Sequence, residues 1–245
     1  AALYWVFKGI SDYSKGKNIG IINPNWPTYE DLVKISGNKH YYFNTYLKDN
    51  YEINYAKLKS FLKKKNITIL VLTSPNNPTG KIITNDNLKK ILNICKSQNI
   101  YLVVDESFSS YSYLKKQKPI NINQYLIIIN SFSKNFHLQG LRLGAIMSHK
   151  KLSQIFANIH IAINGSPNYL AQKIIINNKK LLLHNNIQSK MEKVTNFLNS
   201  KGVEFYKPDG SFYIFPKIKY YSNFVKNSNK YGLFFLQGDL FGKKI

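Results

Sequence analysis

The sequence predicts an α/β fold, a three-layer αβα sandwich around a mainly parallel sheet, followed by a smaller and incomplete α+β unit. Three observations lead there. Short β-rich runs alternate with helix-patterned stretches through most of the chain, as βαβ units require. The 245 residues, 44% of them hydrophobic, suffice to bury one large core with a smaller one beside it. After about residue 180 the alternation gives way to a long helix and a strand pair. Residues 1–180 are therefore expected to form a large domain and residues 181–245 a small one, without an internal repeat or a disordered linker.

In chain order, the strand-like runs are 18–23 (NIGIIN), 40–47 (HYYFNTYL), 67–73 (ITILVLT), 99–105 (NIYLVVD), 125–131 (YLIIINS) and 141–147 (LRLGAIM). The clearest helix between them follows Thr84-Asn85-Asp86, a cluster of N-cap residue types, and carries Leu88, Ile91, Leu92 and Cys95 on one face. That stripe makes Cys95 a buried small hydrophobe rather than a nucleophile. Further on, Ile187, Met191, Val194 and Leu198 form one stripe of a long helix that Gly202 is placed to stop. VEFYKPDGSFYIFPKI then reads as two strands around Pro208-Asp209-Gly210, and GLFFL as another strand. Both ends read as cut, the first inside an apolar helix-like segment and the last shortly after a strand.

Composition excludes several classes of function. No run of eighteen apolar residues exists, and the opening AALYWVF is short and lacks a basic lead and a cleavage site. Neither a membrane span nor a secretory signal is read, and a soluble, cytoplasmic location is expected. The single cysteine excludes an internal disulfide framework and a cysteine-rich metal site, and no metal is expected. The formal charge of +23, from 35 basic against 12 acidic residues, invites a nucleic-acid partner. However, 34 of the 35 are lysine, spread among runs such as KKKN and NNKK that reflect AT-rich coding, and no helix-turn-helix pattern is present. Such lysines are expected on a solvated surface, with nucleic acid not expected as a partner. The remaining basic residue is Arg142.

In an open parallel sheet, ligands bind beyond the carboxyl ends of the strands. Four runs end in polar or aromatic residues of chemical interest: Pro24-Asn25-Trp26, Ser74-Pro75-Asn76-Asn77-Pro78-Thr79-Gly80, Asp105-Glu106-Ser107-Phe108, and Ser131-Phe132-Ser133-Lys134 with Arg142 eight residues beyond the lysine. Singly, these are a core aromatic, a turn, an N-cap acid and one lysine among many. Together they match what pyridoxal phosphate needs. A lysine amine bonds the aldehyde, a carboxylate keeps the pyridine nitrogen protonated, and an asparagine reaches the phenolic oxygen. An aromatic ring stacks on the cofactor, while serine and arginine bind the phosphate.

SPNNPTG, VVDESF, NSFSKNFHLQGLRLG and PDGSFYIF resemble, in this order and over essentially the whole chain, the motifs of the fold-type I pyridoxal-phosphate enzymes, specifically the class I/II aminotransferases. The resemblance implies that Lys134 is the Schiff-base lysine and proton shuttle, that Asp105 pairs with the pyridine nitrogen and that Asn77 contacts O3′. It further implies that Trp26 stacks on the ring and that Ser131, Ser133 and Arg142 bind the phosphate. The only arginine thus falls where a planar fork is needed and lysine does not substitute. Phe108 stands where many members carry a tyrosine that donates to O3′, a form similar to the histidinol-phosphate aminotransferase and threonine-phosphate decarboxylase branch. The resemblance also implies a homodimer acting on an amino acid and a 2-oxo acid.

Two family elements, a glycine-rich phosphate loop and a carboxylate-gripping arginine near the C-terminus, are not found in this sequence. The chain alone is accordingly expected to bind the cofactor weakly and to be catalytically poor. Two alternatives to transamination stay open: a decarboxylase or lyase on the same cofactor, and a non-catalytic sensor module of the same fold.

Overall fold

The computed structural model describes residues 1–115, 118–177, 186–218 and 221–242. The chain opens with helix α1 (Ala2–Ser14), in which Leu3, Val6, Phe7 and Ile10 lie on one face and are buried. Strand β1 (Asn18–Asn23), helix α2 (Thr28–Ile35), strand β2 (Lys39–Asn44), helix α3 (Tyr55–Lys64) and strand β3 (Ile69–Thr73) follow. Next come α4 (Asn85–Ser97), β4 (Tyr101–Asp105), β5 (Leu126–Ser131), the single turn α5 (Phe132–Asn135), β6 (Gly144–Met147), α6 (Lys150–Asn164) and α7 (Tyr169–Asn177).

All six expected strands exist, and they form one sheet in the order β2-β1-β3-β4-β5-β6. The first five are parallel, while β6 runs antiparallel to β5 with Ser131 opposite Gly144. The run expected to continue to residue 47 stops at Asn44, because the chain turns at Leu47–Asp49. The run expected from residue 141 starts at Gly144, since Gln139–Leu141 is a turn and Arg142 adopts a left-handed φ of 52°.

Strand residues alternate between two cores, which makes the domain three-layered. On one side, Leu70, Leu72, Leu102, Val104 and Leu126 pack against Leu58 and Leu62 of α3 and Leu88, Ile91, Leu92 and Cys95 of α4. On the other, Ile19, Ile21, Ile69, Val71, Val103 and Ile127 pack against α1, α2 and α6 through Phe7, Ile10, Tyr29, Val33 and Phe156. The Thr84 side chain caps α4 by accepting from the Asn87 amide. Cys95 is fully buried, and burial pushes its thiol up to about 12, so it stays protonated and inert at neutral pH.

The later residues form helix α8 (Ile187–Ser200), a short antiparallel pair β7 (Glu204–Phe205) and β8 (Pro216–Lys217), and helix α9 (Tyr221–Ser228). Gly202 ends α8 as expected, with φ +64° and the Val203 amide folded back onto the Leu198 carbonyl. The buried stripe differs from the expected one: Met191 and Thr195 are covered, whereas Val194 is 45% exposed. Thr195 fits inside because its hydroxyl donates to the Glu192 carbonyl within the helix. GLFFL is not a strand among the described residues: Leu233–Leu236 pair with no sheet and are all exposed. The expected division after residue 180 falls within 178–185, outside the described residues.

Candidate active site

The sheet order places a crevice where the site was expected. From β1 the chain steps outward to β2 and then crosses to β3 on the other side of β1, so connections leave the neighbouring ends of β1 and β3 in opposite directions. Trp26 follows β1, Asn77 follows β3, Asp105 ends β4, and Ser131 ends β5. These four parallel strands are consecutive in the sheet, so their carboxyl ends share one edge. The reversal into β6 then brings Arg142, two residues before Gly144, back to the same edge beside Ser131.

A cavity of about 1170 Å³ opens there, and all eight expected residues line it: Trp26, Asn77, Asp105, Phe108, Ser131, Ser133, Lys134 and Arg142. Lys134 is the only lysine on its wall among the described residues. Trp26 is 38% exposed and meets Tyr29 in a T-shaped contact, so it is not packed into the core.

Asp105 is the buried end of the site. Its Oδ1 accepts from the Ser107 amide at 2.9 Å and the Ser107 hydroxyl at 2.5 Å, and its Oδ2 accepts from the Tyr29 hydroxyl at 2.8 Å. With its one proton given to Asp105, Tyr29 accepts in turn from Thr73 Oγ1 at 2.7 Å. Burial raises the Asp105 pKa, opposed by these donors, and the net shift is upward. Tyr29 is held well above its ordinary value by its own burial and by the Asp105 charge, so it remains a donor. A cationic N–H group entering the cavity beside Asp105 would offset the desolvation of the carboxylate.

Lys134 sits on the single turn α5, anchored through its neighbour Asn135. Asn135 accepts from the Ser110 amide and hydroxyl at 3.0 and 2.9 Å and donates to the Glu106 carbonyl, Ser109 and Asn130. Arg142 is exposed, with Nη1 donating to the Gln139 carbonyl at 3.0 Å, which leaves the rest of the guanidinium available. Ala1, Ala2 and Leu3 at the start of α1 lie on the same wall. Phe108 is buried and meets Phe212 and Tyr213 edge to face at 5.4 and 5.3 Å.

Four residues that support the site have no role assigned to them from the sequence: Tyr29, Ser107, Asn135 and Tyr213, of which Tyr29, Ser107 and Tyr213 also line the cavity. Ser107 has a local signal, since a serine two residues after an aspartate commonly donates back to it. Tyr29 has none, because its partners lie 44 and 76 residues away.

The arrangement suits pyridoxal phosphate. Asn77 is buried with its Oδ1 lacking a hydrogen-bond partner, an unfavourable state that a hydrogen-bond donor on a ligand relieves. An acid deep in the cavity, one amine, a part-exposed indole and an exposed guanidinium are the groups that the pyridine, aldehyde, ring and phosphate require. Among the described residues, no group of three or more His, Cys, Asp or Glu could hold a metal, and no helix is long and apolar enough to cross a membrane.

The class of protein follows from fold and site together: residues 5–230 match the family described as aminotransferase class I and II, and the chain belongs to it. The aspartate aminotransferase of Sulfurisphaera tokodaii is 27% identical over 234 residues, covering 89% of this chain and 57% of that protein. A probable N-acetyl-LL-diaminopimelate aminotransferase of Bacillus subtilis is 26% identical over 84% of this chain and 54% of its own length. The crystal structure of the Thermotoga maritima aspartate aminotransferase superposes with a TM-score of 0.89 at 24% identity, over 98% of this chain and 66% of that one. The chain thus spans little more than half the length of the first two relatives.

Proposed function

We propose that this chain forms the cofactor-binding part of a pyridoxal-phosphate-dependent aminotransferase that moves an amino group between an amino acid and a 2-oxo acid. The observation that carries the reading is the cavity wall: among the described residues one lysine lies on it, and the only arginine of the sequence lies there too. When bound, pyridoxal phosphate supplies an electron sink that allows the Cα–H bond of an amino acid to break heterolytically.

Each residue then has a defined task. Asp105, oriented by Tyr29 and Ser107, accepts the pyridine N–H and keeps that nitrogen charged. The Asn77 amide binds O3′, and Trp26 covers one ring face. Arg142 would grip two phosphate oxygens with its planar fork, helped by Ser131 and Ser133. Lys134 Nζ would hold the cofactor through its aldehyde, with loss of water, and would move the proton taken from the substrate Cα. Phe108 adds packing but no donor to O3′. A homodimer and a cytoplasmic location accompany this reading, and sedimentation of the purified protein tests the first.

The test is a titration with pyridoxal phosphate followed by absorbance. A band near the visible edge is expected for the unaltered chain and is lost in Lys134→Ala. No band in the unaltered protein, or an unchanged band in the variant, would overturn the reading. Release of labelled CO2 from an amino acid, with no 2-oxo acid formed, would favour a decarboxylase instead.

A further inference from the structure

We propose that Tyr111 is a positioning residue for Lys134, fixing the lysine relative to Asp105 and tying it to the turn at 208–211. The inference rests on the assignment of Lys134 as the amine that meets the cofactor. A helix of one turn does not hold itself in water, so α5 takes its position from its surroundings. Asn135 anchors one side. On the other, the buried Tyr111 hydroxyl donates to the Lys134 carbonyl at 3.1 Å. The same oxygen lies 3.1 Å from His137 Nε2. With its only proton given to Lys134, it accepts there.

Tyr111 ends a short segment that begins at Asp105. The Asp105 carboxylate accepts at one end of it, and the Tyr111 phenol clamps the Lys134 backbone at the other. Ser109, Ser110 and the Glu106 carbonyl bind Asn135 from between. This segment therefore ties the acid to the turn that carries the amine, alongside the β4–β5 pairing.

Tyr111 also faces the later part of the chain. Its carbonyl accepts from the Ser211 amide at 3.0 Å, and its ring meets Phe212 edge to face at 5.1 Å. A Cβ on Gly210 would lie 2.7 Å from the Tyr111 carbonyl oxygen, so the two backbones are in closest contact. The Asp209 and Gly210 amides both donate to the Gly80 carbonyl, at 3.1 and 3.0 Å. A displacement of the 208–211 turn can thus reach Lys134 through the Tyr111 side chain.

Tyr111→Phe removes only the hydroxyl and keeps the ring against Phe212. Three measurements on the full chain test it: hydrogen exchange of the peptide spanning 131–138, the rate of band formation with pyridoxal phosphate, and binding of pyridoxine phosphate, which lacks the aldehyde. Exchange is expected to speed up, and band formation to slow, each by about fivefold, the factor one ordinary hydrogen bond supplies. Pyridoxine phosphate affinity and exchange in α4 stay unchanged. Unaltered exchange and rate overturn the proposal, as does a uniform loss that includes α4 and pyridoxine phosphate binding. If the unaltered chain forms no band, the cofactor assignment fails, while the exchange comparison still decides whether Tyr111 holds α5.

Discussion

Tyr29 donates its phenolic proton to Asp105 Oδ2 across 2.8 Å in the buried end of the cavity, 76 residues away in sequence. A hydrogen bond to a buried carboxylate contributes about 1.5–3 kcal/mol when the acceptor is charged, and less when it is neutral. Tyr29→Phe is therefore expected to destabilise the protein by about 2 kcal/mol at pH 7.5, also stranding Thr73 Oγ1. The difference from the unaltered protein should shrink as pH falls and Asp105 becomes protonated. Urea unfolding at several pH values measures this, and a pH-independent difference would rule out the coupling.

Asp105 itself opposes folding at neutral pH. Its folded pKa is raised above the model-compound value of 3.8, so between 3.8 and the folded pKa the native state binds more protons than the unfolded chain. Stability from this group falls as pH rises through that window and is flat above it. Asp105→Asn is expected to raise the thermal midpoint of the ligand-free protein at pH 7.5, by roughly 2–4 °C for each kcal/mol gained. The gain should vanish below pH 3.8. The same variant should bind pyridoxal phosphate more weakly, the trade between stability and function that buried site charges impose. A lowered midpoint at neutral pH would contradict the burial argument.

Arg142→Lys keeps the charge and loses the fork. Affinity for pyridoxal phosphate is expected to drop about tenfold, whereas affinity for pyridoxal, which has no phosphate, should not change. Quenching of tryptophan fluorescence by the two ligands, with Trp5 and Trp26 both on the cavity wall, separates these outcomes. An equal loss for both would move Arg142 away from the phosphate.

Gly80 has φ +71°, and a Cβ there would lie 2.5 Å from Pro208 Cβ and 2.8 Å from the Gly210 carbonyl oxygen. The Pro208 ring cannot swing aside. Gly80→Ala is expected to cost about 1–3 kcal/mol in backbone strain alone and to loosen the 208–211 turn. A shifted urea midpoint together with faster hydrogen exchange at 208–213 is the expected result. An unchanged midpoint would show that the turn yields freely.

Much of this molecule is legible in short stretches of sequence. NIGIIN and ITILVLT are strands because β-branched runs of that length cover both faces of a buried sheet. Thr84 starts α4 and Gly202 ends α8, since each effect is settled within one helical turn. Val194 and GLFFL depart from expectation for a common reason: apolar character marks a residue that can be buried, and whether anything covers it depends on neighbours far along the chain.

By itself, the sequence determined where the six sheet strands, α4 and α8 form, that Cys95 is buried, and which polar residues stand just beyond strand ends. Those properties arise from patterns a few residues long. Only the tertiary structure decided that β1, β3, β4 and β5 lie side by side in parallel, that β6 reverses to bring Arg142 beside Ser131, and that Tyr29 and Tyr111 hold Asp105 and Lys134. These relations join residues up to 76 apart. They depend on the order of strands and on the packing of two cores, which no local periodicity encodes.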